Sequence, residues 1–140
     1  MSHPSLLHEW FEEVWNNGRV EAIDELMAPN AIAHGIVDDH GNDLRGPAAF
    51  KTFFHKFRES FPDIRITIHD HLKDGDKEVV RCSVDATHQG RQLGFAPSGK
   101  PVTFTGMCIA RVENKQIVEA WNNFDFLTMY QQLGLQLQAI

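Results

Sequence analysis

The sequence is poor in cysteine, with Cys82 and Cys108 as the only two in 140 residues. Two cysteines do not form the disulfide framework of a small secreted domain, so we expect both to be free thiols in a reducing compartment. No apolar run approaches the roughly 20 residues that a membrane helix requires. The first ten residues also lack the basic and apolar segments of a secretory signal. These absences predict a cytoplasmic protein with no membrane segment.

Positive charge is also scarce, because 13 Lys and Arg residues face 19 Asp and Glu residues, for a net charge of −6. Nucleic-acid binding requires a basic face. The densest basic group, Lys51, Lys56 and Arg58, has the spacing of the solvated face of a helix. We therefore expect no nucleic-acid partner.

The common signatures of cofactor and metal chemistry are missing as well. The sequence contains no glycine-rich phosphate loop, no His-Glu-x-x-His, no Cys-x-x-Cys and no Gly-x-Ser-x-Gly. His69 and His71 could reach one ion from the same face of a strand. Their row also contains Arg65 and Lys73, however, which favours an ordinary polar face. We expect no cofactor and no metal.

The apolar residues that are present indicate one domain over residues 1–140, since 42% of the chain is hydrophobic. Helical spacing dominates the N-terminal part, most clearly in Phe50, Phe53, Phe54, Phe57 and Phe61. After Pro62, alternation with a period of two predicts strands, and Asp74-Gly75 predicts a hairpin turn. Helices before antiparallel strands predict an α+β fold, in which a curved antiparallel sheet and its helices enclose a pocket.

The last predicted strand carries the most informative residues. Ile117, Glu119, Trp121, Asn123 and Asp125 share one face of it. An apolar neighbourhood would raise the pKa of the Asp125 carboxyl and make it a usable general acid or base. Alternatively, Asp125 is the N-cap of a final helix that begins at Phe126, which would lower its pKa. Spacing alone favours the cap.

Three further residues are candidates for the site. His34 and His88 each end a predicted strand, where an imidazole could shuttle a proton or donate a hydrogen bond to a ligand oxygen. Either could equally be a structural histidine whose polar atoms are simply paired. Trp15 lies one position off the apolar stripe of the first helix, so it belongs either to the edge of the core or to a pocket wall.

A set of short motifs occurs in a recognisable order between about Trp10 and Gly134. The chain resembles the SnoaL-like polyketide cyclase family, within the nuclear transport factor 2-like superfamily. The motifs are Ser60-Phe61-Pro62-Asp63, Thr87-His88-Gln89-Gly90, Pro97-Ser98-Gly99-Lys100-Pro101-Val102, Phe104-Thr105-Gly106-Met107, Ile117-Val118-Glu119-Ala120-Trp121, Asp125 and Gln132-Leu133-Gly134.

This resemblance implies a cone with a deep apolar pocket for a small molecule. It also implies an intramolecular aldol condensation in which Asp125, facing the pocket, is the acid and base, with His34 in the pocket and Trp15 near an aromatic wall. His88 remains a third catalytic candidate. The family often has His or Asp where this chain has Cys108, so a second polar pocket group is missing. The expected pocket residues are Trp15, Phe54, Phe57, Cys108, Trp121 and Asn123.

Three functions are compatible with these residues. The first is an aldol-type cyclase that uses Asp125, and the second is a small-molecule-binding protein without catalysis, which the missing group at Cys108 favours. The third is a related hydrolase or isomerase, in which Glu119 would supply a second carboxylate. The resemblance also implies a homodimer that pairs through the convex face of the sheet. The residues expected on that face are Arg81, Ser83, Asp85, Thr103 and Thr105.

Overall fold

The computed structural model describes residues 5–140 and has the predicted α+β architecture. Its helices are α1 (Leu6–Trp10), which continues directly into a π-helical segment (Phe11–Asn16), α2 (Glu21–Leu26), α3 (Gly46–Ser60) and α4 (Phe126–Gln132). Its strands are β1 (Met27–Val37), β2 (Asp43–Arg45), β3 (Arg65–Asp74), β4 (Lys77–Thr87), β5 (Pro101–Glu113) and β6 (Gln116–Phe124). The helices cover one face of the sheet, here called the inner face.

The six strands form one curved, unclosed sheet in the order β2-β1-β6-β5-β4-β3. All neighbours are antiparallel except β1 and β6, which are parallel. The sequence predicts an antiparallel sheet throughout, so this pair departs from the prediction. The chain leaves β2, crosses through α3 to the far edge of the sheet and returns strand by strand, which brings β6 beside β1. Since the pairing involves residues far apart in sequence, local patterns do not reveal it.

The helices pack on the inner face through aromatic side chains. Phe50, Phe54 and Phe57 of α3 are buried, and each contacts the ring of Trp15. A π-helix has more residues per turn than an α-helix, so it rotates the following side chains relative to an α-helical stripe. Trp15, which lies off that stripe, is therefore 5% exposed, while Val14 is fully buried beside it.

The edge strand β3 contains a bulge that the sequence does not predict. Its register with β4 shifts between Ile68 and Asp70, which reverses the alternation of side chains beyond that point. His69 bonds to Ser83, whereas His71 bonds to the buried carboxylate of Glu78. The two histidines therefore do not share a face. For the same reason the apolar side chain of Leu72 is 69% exposed.

Both cysteines are free and buried, as expected. Within residues 5–140, no helix is long and apolar enough to cross a lipid bilayer. The cytoplasmic location stays a prediction. In the same part of the chain, no group of three or more His, Cys, Asp or Glu side chains is arranged to hold a metal ion.

Candidate functional site

A small apolar cavity lies between the π-helical segment, α3 and the inner face of the sheet. Its volume is about 40 Å³. Twelve of its lining side chains are apolar, eight of them aromatic, and the thirteenth is Asn122. The aromatic residues are Trp10, Phe11, Trp15, Phe53, Phe57, Phe104, Phe124 and Phe126. We refer to this space as the inner cavity.

A larger cleft of about 580 Å³ lies next to the inner cavity and is called the outer cleft. The two share Ile36, Phe53, Phe57 and Phe126, so one apolar wall runs from the surface to the interior. The polar and ionisable residues of the outer cleft lie nearer the surface: Asp38, Asp39, His40, Thr52, Lys56 and Tyr130. Deep apolar space with a polar rim is typical of small-molecule sites.

Asn122 is the polar group at the inner end of this path. It lies on β6, is 8% exposed, and its Nδ2 donates a 3.0 Å hydrogen bond to the backbone oxygen of His34. That bond uses one N–H of the amide. The second N–H and the Oδ1 atom remain, and residues 5–140 supply no donor to Oδ1. A ligand hydroxyl or carbonyl in the cavity could therefore pair with the remaining groups of this amide.

The charges at the rim of the outer cleft are already paired or bonded. Asp38 accepts hydrogen bonds from the backbone N–H groups of Asn42 and His40, and these bonds lower the pKa of its carboxyl. Lys56 Nζ lies 2.9 Å from Asp39 Oδ1 and joins α3 to the loop that follows β1. The rim therefore combines a fixed carboxylate, an exposed ion pair and the imidazole of His40.

Asp125 lies at the N-cap of α4 rather than in the cavity wall. Its carboxylate accepts hydrogen bonds from the Thr128 hydroxyl at 2.6 Å and the Thr128 backbone N–H at 3.0 Å, and these bonds lower its pKa. The residue is exposed and lines a shallow groove on the outer face of the sheet, with Arg81 and Met107. The pocket-facing placement is thus not observed, because the cap fixes the carboxylate. Its catalytic role stays a prediction.

His34, Trp121 and Asn123 also lie away from the cavity. His34 contacts Asp43 and Glu119 on the outer face of the sheet, and its ring stacks on Trp121 with centroids 5.7 Å apart. Asn123 is exposed in the same groove as Asp125. Residues two apart on a strand share a face, so these residues do lie on one face with Glu119, but it is the face away from the helices.

His88 is fully buried near the start of the loop between β4 and β5. Its Nδ1 accepts a 3.1 Å hydrogen bond from the backbone N–H of Ser98, while its Nε2 has no partner among the described residues. The ring packs between Phe61 and Phe95, and it lines neither the inner cavity nor the outer cleft. A role for His88 in catalysis also stays a prediction.

The other expected pocket residues divide into two groups. Trp15 and Phe57 line the inner cavity. Phe54 packs against Trp15 from behind, with ring centroids 5.3 Å apart, and does not reach the cavity. Cys108 lies beside Asn122 in the sheet and lines an adjoining space of about 20 Å³, which shares Trp10 and Asn122 with the inner cavity. Burial raises the pKa of the Cys108 thiol to about 12. It is therefore a neutral thiol.

The polar residue that sequence reasoning missed is Asn122. The alternation along the last strand places it in one row with Ala120 and Phe124. A single amide in an otherwise apolar row is the signal that could have identified it. The carboxylates of this region, Glu119 and Asp125, belong to the opposite row, and the prediction was placed there.

Comparison with known proteins agrees with the fold. A family model described as SnoaL-like polyketide cyclase matches residues 5–133. IdmH of Streptomyces antibioticus, a proposed polyketide cyclase, is 30% identical with a TM-score of 0.79, covering 93% of this chain and 96% of its own. A proposed polyketide cyclase of Acidithiobacillus ferrooxidans is 30% identical with a TM-score of 0.78, covering 96% and 98%.

A third structure, from Catenulispora acidiphila, has a ketosteroid isomerase-like fold. It is 15% identical with a TM-score of 0.77 and covers 96% of both chains, which shows likeness of fold alone. The expected fold class is thereby confirmed. Among curated proteins, no sequence matches the chain significantly.

Proposed function

Because the chain belongs to the SnoaL-like polyketide cyclase family, we propose that it binds an apolar small molecule with carbonyl groups and promotes an aldol-type ring closure. The observation that carries this proposal is the amide of Asn122, which is the one polar group among the thirteen residues lining the inner cavity. An amide N–H donates to a ketone or enolate oxygen, and Oδ1 accepts from an enol or alcohol hydroxyl.

The reaction we propose is an isomerisation. A carbon between two carbonyl groups loses a proton and bonds to the carbon of a third, more distant carbonyl group of the same molecule, whose oxygen takes up a proton. The aromatic walls of the cavity and the outer cleft would fold the chain and bring the two carbons together. Asn122 would stabilise the oxygen on which charge develops.

Binding can be tested without the natural substrate. We suggest 2-acetylnaphthalene as the probe and 2-ethylnaphthalene, which has the same shape but no oxygen, as its control, measured by equilibrium dialysis. A hydrogen bond worth about 1 kcal/mol makes the ketone bind roughly fivefold more tightly. Asn122→Leu should bring the two affinities together. If the wild-type protein binds neither compound, or binds both equally, the proposed site is wrong.

The proton-transfer group is a separate question, for which Asp125 is the candidate. Phe124 and Phe126, its neighbours on either side, both line the inner cavity. To act at that wall, the carboxylate would have to release Thr128 and leave the outer groove. Asn is also a good N-cap, so Asp125→Asn keeps the cap and removes the acid. Ring closure of a linear aromatic 1,3-diketone that carries a third ketone, placed to close a six-membered ring, by the wild type but not this variant would support the role, whereas equal rates would contradict it.

We also propose that the protein forms a homodimer through the outer face of the sheet. Met107 and Ile109 are 50% and 39% exposed there, and Met107 pairs with Arg81 on β4 and with Asn123 on β6. Light scattering should report a dimer for the wild type and a monomer for Met107→Glu. The exposed Leu72→Glu, on the edge strand, is the matched control and should remain dimeric.

A further inference from the structure

The imidazole of His34 bridges two carboxylates on different strands of the outer face. Its Nδ1 lies 2.8 Å from Asp43 Oδ2 on β2, and its Nε2 lies 2.7 Å from Glu119 Oε2 on β6. His34 itself belongs to β1, between these two strands. One side chain therefore links three neighbouring strands at the edge of the sheet.

Both contacts can be hydrogen bonds only while the ring carries two protons. A neutral imidazole has a single N–H, so one of its nitrogens would point a lone pair at a carboxylate. The carboxylates favour the charged ring, and Glu119 followed by Asp43 raises the pKa of His34 above its ordinary value. The observed geometry is thus that of an imidazolium between two carboxylate anions.

When the ring of His34 loses its proton, one of its two carboxylate partners keeps another cation nearby and the other does not. Glu119 retains Arg111 of β5, whose Nη2 lies 3.5 Å from Glu119 Oε1. Arg45 lies on the same short strand as Asp43 and is exposed. Over residues 5–140, Asp43 has no ion-pair partner other than His34. Asp43 is therefore the carboxylate that loses its cation.

The link through His34 matters for β2 because the backbone pairing of this strand is short and interrupted. That strand has three residues, and its pairing with β1 is interrupted by a register shift between Ala33 and Val37. The interruption lies where His34 reaches across to Asp43. The hairpin formed here, residues 37–45, also supplies Asp38, Asp39, His40 and Leu44 to the rim and wall of the outer cleft.

We propose that the His34 imidazolium is a pH-sensitive clamp, which holds the hairpin of residues 37–45 against the sheet and so fixes one side of the outer cleft. Loss of the ring proton releases Asp43, loosens β2 and widens the entrance to the cleft. The consequence for ligand entry rests on the proposed function, but the clamp itself is a property of the protein without ligand.

Because folding raises the pKa of His34, the protonated ring stabilises the folded protein at any pH below the pKa of the unfolded state. This stabilisation is lost as the pH rises through the pKa of the folded state. Amide hydrogen exchange should be measured on the ligand-free protein and corrected for intrinsic rates. The protection of the backbone amides of residues 38–45 should fall several-fold as the pH rises through the folded-state pKa of His34. Residues 79–84, in the centre of the sheet, should keep their protection. Asp43→Asn removes the charge at β2 and should abolish the dependence in residues 38–45.

Asp70→Asn is the matched control, since Asp70 is an exposed carboxylate on the outer face paired with Arg81. It should leave the pH dependence of residues 38–45 unchanged. Nitrogen NMR should find both ring nitrogens of His34 still protonated at a pH just above the ordinary histidine pKa of about 6.5. If the ring of His34 is already neutral at that pH, or protection does not change as His34 titrates, the clamp is wrong, whatever the naphthyl probes show.

Discussion

Gly35 and Asn122 approach each other more closely than any residue with a side chain would allow. A Cβ atom on Gly35 would lie 1.9 Å from the backbone oxygen of Asn122, and Gly35 has a φ of +84°. This approach occurs where the parallel strands β1 and β6 meet, and it sets the position of the amide at the end of the cavity. Glycine at 35 is therefore a requirement of the candidate site.

Replacement of Gly35 by alanine should be strongly destabilising. The clash with backbone atoms and the positive φ together should lower the free energy of unfolding by about 2 kcal/mol or more. Urea denaturation measures this change. Gly75→Ala is the control, because its φ is also positive but no atom lies within 4 Å of the added Cβ. Equal losses for the two variants would contradict a role for the close approach.

The buried carboxylate of Glu78 should anchor the N-terminal helix and with it the aromatic wall. Glu78 accepts hydrogen bonds from the backbone N–H groups of Leu6 and Leu7 and lies 3.1 Å from His71 Nε2. Glu78→Gln should lower the free energy of unfolding by about 1–2 kcal/mol, since charge-assisted hydrogen bonds become neutral ones. Glu59→Gln, at an exposed position of α3, should be close to neutral.

The same variant has a characteristic pH dependence. Burial raises the pKa of Glu78, but its hydrogen bonds to the Leu7 backbone and to His71 outweigh burial, and the net shift is downward. A carboxyl whose pKa is lowered by folding stabilises the folded protein at any pH above its unfolded-state pKa. This stabilisation is lost as the pH falls through the folded-state pKa. The difference between wild type and Glu78→Gln should therefore be full at neutral pH and shrink in acid. A difference that grows in acid would contradict this account.

The cap at Asp125 predicts an ordering of two variants. Asp125→Ala removes the acceptor for both Thr128 bonds and should lower Tm, whereas Asp125→Asn retains an acceptor and should change Tm much less. Because the pKa of Asp125 is lowered by these bonds, the Tm loss in Asp125→Ala should diminish at acid pH. Thermal denaturation of the three proteins would decide, and equal Tm values for the two variants would argue against the cap.

Local patterns in the sequence predict much of this fold. The phenylalanines of α3 have helical spacing, Asp74-Gly75 lies at the turn between β3 and β4, and the alternation along β6 separates Ala120 and Asn122 from Glu119 and Trp121. Ile117, expected in the row of Glu119, is instead buried on the inner face, because the pairing with β5 shifts register between Arg111 and Val112. The correctly predicted features depend on residues close together in the chain. The order of helices and antiparallel strands already predicts a curved sheet with a pocket, and the resemblance to a known family adds that the pocket is deep and apolar.

The features that the sequence did not predict depend on distant contacts. The bulge at His69 reverses the alternation of β3, and the parallel pairing of β1 with β6 joins residues about 90 positions apart, such as Ile32 and Glu119. The pairing of β1 with β6 and the position of the covering helices decide which row of β6 side chains faces the helices. The sequence therefore distinguishes the row of Asp125 from that of Asn122 without showing which one is inside.

The most direct test of the account is a crystal structure of the protein with 2-acetylnaphthalene bound. The account predicts the naphthyl rings against Phe53 and Phe57 and the ketone oxygen within about 3.2 Å of Asn122 Nδ2. A probe bound in the groove of Asp125 and Arg81 on the outer face, or one in the cleft with its oxygen turned away from Asn122, would contradict the central claim.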